Sequence, residues 1–272
     1  MNPARRRGVL LLAATALLWS TGGVGIKAVQ NGPMAVVVYR SGIAAIALFA
    51  IFRPRIGRLT PAFVVSVVCY AACLTTFVVA TKWTKAANAI FLQYSGIVWV
   101  MLLAPVILKE PLKGRDLVAA GVALSGMALF FVGKLEKGGL AGLLVAVLSG
   151  VFFAGIYLSL KRAPGQSEAA VAWGNVAAAL SMLPFAASDL AVTPKSLLIL
   201  ALLGIFQIGI AYALLVKGLP LVSAAEASLI GMLEPVCNPI WEFARSGETP
   251  TGYAILGAVI VLAAISWRTL RA

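Results

Sequence analysis

Apolar stretches the length of a membrane-crossing helix fill almost the whole of this sequence and leave only short polar loops between them. A transmembrane helix needs about 20 mostly apolar residues to cross a hydrocarbon core of about 30 Å. Hydrophobic residues make up 61% of the chain and charged residues 11%, whereas a soluble domain carries about 25% charged residues. Too few polar residues remain to cover a soluble surface. The sequence therefore predicts an all-α integral membrane protein.

Proline, glycine and clusters of charge divide the apolar sequence into ten predicted transmembrane helices. Those of the first half are Gly8–Val29, Met34–Phe52, Pro61–Trp83, Ala86–Leu108 and Leu112–Val132. Those of the second half are Gly139–Lys161, Glu168–Ala187, Ser196–Lys217, Val222–Phe243 and Thr251–Trp267. The first stretch could pass for a signal peptide, but it continues to Val29 without a small-residue cleavage signal. We interpret it as the first membrane helix.

The basic residues of the predicted loops are divided unevenly between the two sides. With a cytoplasmic N-terminus, fourteen lie inside: Arg5, Arg6, Arg7, Arg53, Arg55, Arg58, Lys109, Lys113, Arg115, Lys161, Arg162, Lys217, Arg268 and Arg271. Six lie outside: Lys82, Lys85, Lys134, Lys137, Lys195 and Arg245. Because cytoplasmic loops are enriched in Lys and Arg, both termini are predicted to be cytoplasmic. The net charge of +13 thus reflects membrane topology, and we expect no nucleic-acid partner.

The two halves of the chain resemble each other, which predicts one repeat in residues 1–134 and another in 135–272. Lys27 and Lys161 follow similar aromatic and glycine-containing segments, and Ala86–Ala89 matches Ala224–Ala227. With five helices in each half, the second copy must enter the membrane from the opposite side. The result is a pair of inverted repeats, an architecture typical of secondary transporters that work by alternating access.

The sequence resembles the drug/metabolite transporter superfamily of the EamA type, on residues that span nearly the whole chain. These are Trp19-Ser20, Lys27, Arg40 and the segments that end at Glu110 and Glu248. Within this superfamily the sequence is most similar to the YddG-like aromatic amino acid exporters, on its overall similarity and on the segment Tyr94–Trp99. The resemblance implies a ten-helix fold with a central cavity between the two inverted repeats, residence in the bacterial inner membrane, and export of amino acids and related metabolites, with aromatic and hydrophobic amino acids favoured. Other metabolites and cationic drugs remain alternative substrates.

Glu234 is the ionisable residue predicted to lie deepest in the membrane. It lies about 18 Å of helix rise beyond Val222, and Pro235 and Pro239 follow it. A proline removes a backbone donor and frees a carbonyl one turn earlier, so we predict a kink beside this carboxylate. Glu234 could bind an amine or a proton at a cavity wall or gate, or it could pair with a Lys or Arg of another helix.

Three further charged residues are predicted to act in gating or charge recognition: Lys27, Arg40 and Glu226. Lys27 could instead extend to the interface, and Glu226 could reach the cytoplasmic interface. Arg40 lies too deep for that. It is expected either to pair with a carboxylate on the outer side or to bind the carboxylate of a substrate, and an interhelical tether is the structural alternative.

Aromatic and amide side chains inside the apolar runs form the predicted wall of the central cavity. Aromatic faces suit apolar substrates, and amides buried in lipid must hydrogen-bond across helices or to a solute. Tyr70 and Asn238 are a further aromatic residue and a further amide in such runs. For all of these residues the alternative is packing between helices. The predicted cavity residues are Trp19, Gln93, Tyr94, Trp99, Phe153, Tyr157, Trp173, Asn175, Gln207 and Tyr212.

The residue composition argues against an intramembrane enzyme. There is no histidine, which removes the base that a rhomboid-like serine protease needs and the commonest metal ligand. Asp116 and Asp189 lie in or near loops, so an intramembrane aspartyl protease is not indicated. Cys69, Cys73 and Cys237 lie in apolar runs without zinc-site spacing. We expect a small-molecule substrate and lipid as partners, with no cofactor, no metal and no catalytic residue. A channel is the remaining alternative, and the sequence leaves the oligomeric state open.

Overall fold

A computed structural model describes residues 2–55, 59–130, 132, 139–247 and 251–270, and all regular structure in these ranges is helical. The helices of the first 134 residues are α1 (Pro3–Trp19), α2 (Gly22–Ala28), α3 (Pro33–Phe52), α4 (Pro61–Trp83), α5 (Ala86–Gln93), α6 (Gly96–Ile107) and α7 (Gly114–Phe130). Those of the remaining residues are α8 (Leu140–Arg162), α9 (Ser167–Ala186), α10 (Pro194–Leu202), α11 (Ala211–Gly218), α12 (Ala224–Gly231), α13 (Leu233–Ser246) and α14 (Gly252–Leu270). A π-helical segment, Leu203–Ile210, joins α10 to α11.

Eight helical stretches of the described chain are long and apolar enough to cross a membrane. They are Pro3–Ala28, Pro33–Phe52, Pro61–Trp83, Ala86–Ile107, Leu140–Arg162, Pro164–Asp189, Pro194–Leu221 and Gly252–Leu270. The two other predicted spans correspond to α7, which has 17 residues, and to α12 followed by α13. Large apolar side chains such as Ile46, Val106 and Phe185 are exposed on the outside, as contact with lipid requires. The chain is therefore a multi-pass, all-helical membrane protein, as predicted.

Three helices predicted to be continuous are broken near their middle. Between α1 and α2, the Ser20 and Thr21 hydroxyls donate to the carbonyls of Leu17 and Leu18 and compete with helical hydrogen bonding. A second break separates α5 from α6 at Tyr94 and Ser95. A third separates α12 from α13 at Met232. The predicted proline kink beside Glu234 is thus a break on its N-terminal side.

The π-helical segment is a feature that the sequence did not predict, since Ser196–Lys217 reads as one regular helix. The segment packs closely on α3, where a Cβ on Gly204 would lie 2.8 Å from the Arg40 carbonyl oxygen. On its other side a Cβ on Gly22 of α2 would lie 2.7 Å from Gln207 Nε2. Segments of this type occur often at functional sites. Here the segment brings Gln207 towards Arg40.

Helices of the first half of the chain pack in pairs against helices of the second half. Helix α3 packs along α9, α7 along α14, α4 along α8, and α1 along α11. At the contact of α6 with α8, a Cβ on Gly96 would lie 2.7 Å from the Gly150 carbonyl oxygen, so the two backbones nearly touch. In lipid such close packing replaces the hydrophobic driving force between helices.

The bundle has two ends, which we name the terminal face and the opposite face. At the terminal face α1 begins and α14 ends, and Arg5 Nη2 donates to the Thr269 carbonyl at 3.0 Å. At the opposite face the α2–α3 loop meets the α9–α10 loop, where Asn31 Nδ2 donates to the Asp189 and Ala191 carbonyls at 2.9 Å each. Contacts between the first and second halves therefore exist at both ends.

The glycine contact between α6 and α8 leads to a stability prediction. In Gly150→Ala the new methyl group would lie 2.6 Å from Ser95 Oγ and 2.7 Å from the Gln93 carbonyl oxygen, so the helices must separate, at a cost of about 1–3 kcal/mol. We expect a lower thermal unfolding midpoint in detergent. Gly121→Ala is the control, because no atom lies within 4 Å of a Cβ there and alanine favours helix. Equal midpoints for the two variants would contradict the packing argument.

Candidate functional site

A small cavity of about 20 Å³ lies where side chains from both halves of the chain converge. Cavities of this size hold about one water molecule. The lining residues come from α1, α3, α4, α5, α8, the π-helical segment, α11 and α13. They are Trp19, Arg40, Cys73, Leu74, Phe77, Gln93, Phe153, Gln207, Ile208, Tyr212 and Glu234. We call this space the central cavity.

Arg40 contributes a buried guanidinium group to the central cavity. Its side chain is 0% exposed, and its Nη1 donates to Gln207 Oε1 at 3.4 Å. Its Nε and Nη2 atoms have no hydrogen-bond partner among the described residues. The expected carboxylate partner on the outer side is therefore not found within those residues. Because unpaired buried donors are costly, above all on a charged group, this arrangement favours an acceptor supplied from elsewhere.

Trp19 adds another unpaired donor beside the same cavity. Its Nε1 is buried and has no partner in the described part of the chain. Its ring packs against Phe153 at 5.7 Å and Tyr212 at 5.2 Å between ring centroids. The central cavity thus combines aromatic walls with three nitrogen atoms that have unpaired N–H groups, which suits a ligand that has both an apolar part and an acceptor group.

Glu234 provides the carboxylate of the central cavity. Its Oε2 lies 2.8 Å from the hydroxyl of Tyr94, and the same hydroxyl lies 2.6 Å from the Gly231 carbonyl oxygen. The Gly231 carbonyl is free to accept this hydrogen bond because Pro235, four residues later, has no backbone N–H to donate to it. A phenol carries one hydrogen and serves one acceptor at a time, so Glu234 keeps lone pairs for a cation. Glu234 also lies in the first turn of α13, where the helix dipole favours negative charge.

Five of the ten predicted cavity residues line the central cavity: Trp19, Gln93, Phe153, Gln207 and Tyr212. Gln93 Nε2 donates to Ser149 Oγ at 2.8 Å. Tyr94 and Tyr157 are buried one layer farther out, where Tyr157 packs on Phe153 at 5.0 Å.

The other predicted cavity residues lie elsewhere. Asn175 donates to the Tyr70 hydroxyl at 2.9 Å and so takes the structural alternative, a contact between helices. Trp173 packs edge-on against Phe49. Trp99 is 39% exposed on the outer surface, where an aromatic ring suits lipid. None of the three lines the central cavity.

Cys73, Leu74 and Phe77 of α4 complete the wall of the central cavity, together with Ile208, and sequence reasoning missed them. They are apolar residues in an apolar helix, so no compositional signal separates them from packing residues. Tyr70, one turn earlier, reaches Tyr212 at 4.5 Å between ring centroids. Helix α4 is thus a major wall that only the packing reveals.

Lys27 is exposed in the last turn of α2 and makes no ion pair with an acidic group in the described residues. Its Nζ donates to the Thr84 carbonyl at 2.7 Å, two residues before α5 begins. Lys161 repeats this contact by donating to the Val222 carbonyl, two residues before α12 begins. Of the two prolines, Pro235 is buried, and Pro239 lies within α13.

Buried ion pairs tie several helices together at the terminal face. Glu226 is 2% exposed and pairs with Arg5, whose Nε lies 3.1 Å from Glu226 Oε2. Glu226 thus lies at the terminal face, buried within this contact. Arg268 pairs with Asp116 and lies 4.0 Å from Glu226. These contacts join α1, α7, α12 and α14.

A further ion pair at this face holds the start of α12. Glu110 pairs with Lys161 at the end of α8 and accepts a hydrogen bond from the Ala224 backbone N–H at 2.7 Å. We call these six charged residues the terminal-face cluster: Arg5, Glu110, Asp116, Lys161, Glu226 and Arg268. The cluster joins the first half of the chain to the second.

A larger apolar pocket of about 460 Å³ lies beside α2, α10, the π-helical segment and α13. It is lined by Thr21, Val24, Gly25, Ile199, Leu202, Leu203, Phe206, Trp241 and Ala244. Trp241 Nε1 donates to Ser20 Oγ at 2.8 Å and links α13 to the break after α1. Thr21 lies two residues after Trp19, and Phe206 directly precedes Gln207, so the pocket lies close to the central cavity.

Comparison with known proteins identifies relatives over the whole chain. The profile of the EamA-like transporter family matches twice, over residues 6–132 and 140–269. An uncharacterized transporter of Archaeoglobus fulgidus is 23% identical over 97% of both chains. An uncharacterized transporter of Helicobacter pylori is 32% identical over 56% of this chain and 54% of its own length.

The fold also occurs among solved structures. One protein crystal structure is similar with a TM-score of 0.83 at 18% sequence identity, over 97% of this chain and 99% of the other. At this identity the likeness establishes a shared fold. Together with the two profile matches, which cover nearly all of the sequence, it leads to one conclusion: the chain belongs to the EamA-like transporter family.

Proposed function

We propose that this transporter exports amino acids, with aromatic and hydrophobic ones favoured, and related small metabolites across the bacterial inner membrane by alternating access. Within its superfamily this would place it with the YddG-like exporters. The observation that carries the proposal is the central cavity, where Arg40 and Glu234 lie buried beside the rings of Trp19, Phe153 and Tyr212. Buried charges in a membrane protein mark solute paths.

We infer further that residues 1–134 and 135–272 form two inverted five-helix repeats. Helices α5 and α12 each have eight residues and are each followed by a break. The lysines Lys27 and Lys161 make the same contact, each with the carbonyl two residues before one of these helices. The family profile also matches each half separately. Two copies of opposite orientation allow one packing arrangement to open to either side.

The terminal-face cluster supports a gating role at one end of the bundle. Its ion pairs draw α1, α7, α8, α12 and α14 together, while the central cavity has room for about one water molecule. A solute can enter from this end only if these helices separate. The breaks after α1, α5 and α12 lie next to the cavity and supply hinges for such a movement.

The two ends of the bundle differ in charge. Glu226 in the third position of α12 is matched by Asn88 in the third position of α5, at the opposite face. Asn88 donates to Thr84 Oγ1 at 2.9 Å, whereas Glu226 pairs with Arg5. Closure of the terminal face thus involves buried ion pairs, whereas the matched position at the opposite face carries a neutral amide.

Transport itself is tested in liposomes that contain the purified protein. We expect labelled aromatic and branched-chain amino acids to exchange across the bilayer well above the rate of empty liposomes. Glu234→Gln should slow this flux, because the amide keeps the shape and loses the charge. Background flux for every amino acid and cationic drug tested would refute the proposed function. Unchanged flux in Glu234→Gln would assign Glu234 to structure alone.

The orientation has its own test. Because the loops at the terminal face carry most of the basic residues, we expect both termini in the cytoplasm. A green fluorescent protein fused to the C-terminus should fluoresce, while alkaline phosphatase fused there should stay inactive. The reverse pattern would contradict the predicted topology.

The gate is tested by Glu226→Asn, which gives α12 the residue that α5 carries. We expect the terminal face to open more often, so that Cys73 in the central cavity reacts faster with an impermeant thiol reagent added from the cytoplasmic side. The measurement uses inside-out vesicles and a background in which Cys69 and Cys237 are alanine. Glu168→Gln is the matched control, since Glu168 is exposed in the first turn of α9. Equal reaction rates in all three proteins would contradict the gate.

A further inference from the structure

We infer that the central cavity recognises both charged ends of a zwitterionic α-amino acid, with Arg40 and Trp19 binding the carboxylate and Glu234 binding the ammonium group. This inference rests on the proposed function, because it concerns the solute that the transporter moves. A site of this kind would bind an amino acid more tightly than a singly charged amine or acid of the same size.

The carboxylate end is assigned from unpaired donors. Arg40 Nε and Nη2 and Trp19 Nε1 are buried and without acceptors among the residues described, and both side chains line the central cavity. Neighbouring nitrogens of one guanidinium group match the two oxygens of a carboxylate, which makes bidentate pairing possible. Gln207 accepts from Nη1 and thereby leaves the other two donors for the ligand.

The ammonium end is assigned to Glu234 because it is the one carboxylate among the residues that line the central cavity. Its contact with the Tyr94 hydroxyl occupies at most one of its lone pairs. The ion pairs found in the described structure do not include one between Arg40 and Glu234. Two opposite charges that line one small cavity without pairing suit a ligand that carries the complementary charges at its own two ends.

The rest of the cavity surface suits the side chain of the amino acid ligand. Phe77, Phe153 and Tyr212 supply apolar and aromatic walls next to the charged groups, and ring–ring contacts are favourable there. An amine without a carboxylate would leave the Arg40 donors unpaired, and an acid without an ammonium would leave Glu234 unpaired. Each loss should weaken binding by about tenfold or more, as expected for hydrogen bonds to charged groups.

The size of the cavity determines the kind of experiment. At about 20 Å³ the central cavity must widen before it admits an amino acid, so recognition is measured during turnover. Labelled amino acid is exchanged in counterflow across liposomes that contain the full chain, and the amino acid with the highest flux is chosen first. Its unlabelled form, its decarboxylated amine and its deaminated acid then compete with it.

The inference expects the amino acid to compete at least about tenfold better than either singly charged analogue. If the amine or the acid competes as well as the amino acid, two-ended recognition is refuted while transport stands. If no amino acid exchanges at all, the proposed function fails. The wild-type competition decides between these outcomes without any variant.

Arg40→Gln then tests the carboxylate end. A structural role for Arg40 would slow the amino acid and the amine alike, whereas recognition predicts that the competition ratio of amino acid to amine falls towards one. Arg40→Lys should restore part of the ratio, since it keeps the charge and loses the planar fork. Arg162→Gln is the control, because Arg162 is exposed at the end of α8. A ratio unchanged in folded Arg40→Gln would overturn the assignment of Arg40.

Discussion

A buried polar group in a membrane protein has to find its partner inside the protein, because lipid offers none. The rest of this structure depends on that constraint. Side chains in the bundle satisfy it with backbone carbonyls, as the buried Tyr94 hydroxyl does, or with charges, as the terminal-face cluster does. Arg40 and Trp19 are among the buried side chains that keep unpaired donors, and both line the central cavity, where side chains of the two halves converge.

The fold follows from the sequence as far as hydrophobicity and charge can specify it. Runs such as Pro33–Phe52 and Pro61–Trp83 have a definite length because the membrane has a definite thickness. The π-helical segment and the break after α5 do not follow, because they depend on contacts with other helices. Gly204 against Arg40 is one such contact, between residues far apart in the sequence.

The site could be anticipated in part, for a physical reason. Arg40, Glu234 and Gln207 stand out in an apolar sequence because lipid makes each of them costly. Trp99 and Trp173 also stand out, but a tryptophan can equally well face lipid or pack against another ring. Phe77 and Leu74 could not be anticipated, because an apolar cavity wall has the same composition as an apolar packing face. Polarity therefore located the charged ends of the site, and packing alone located its wall.

The shared hydroxyl of Tyr94 couples the charge of the cavity to the shape of the backbone. One hydrogen serves either the Glu234 carboxylate or the Gly231 carbonyl, and that carbonyl is free because Pro235 follows four residues later. A cation that drew Glu234 away from Tyr94 would leave the hydrogen to the carbonyl and strengthen the contact between Tyr94 and α12. By reciprocity, any movement that strains this contact changes the affinity of the carboxylate for the cation. The same proline that interrupts the helix thus makes the interruption responsive to what the cavity holds.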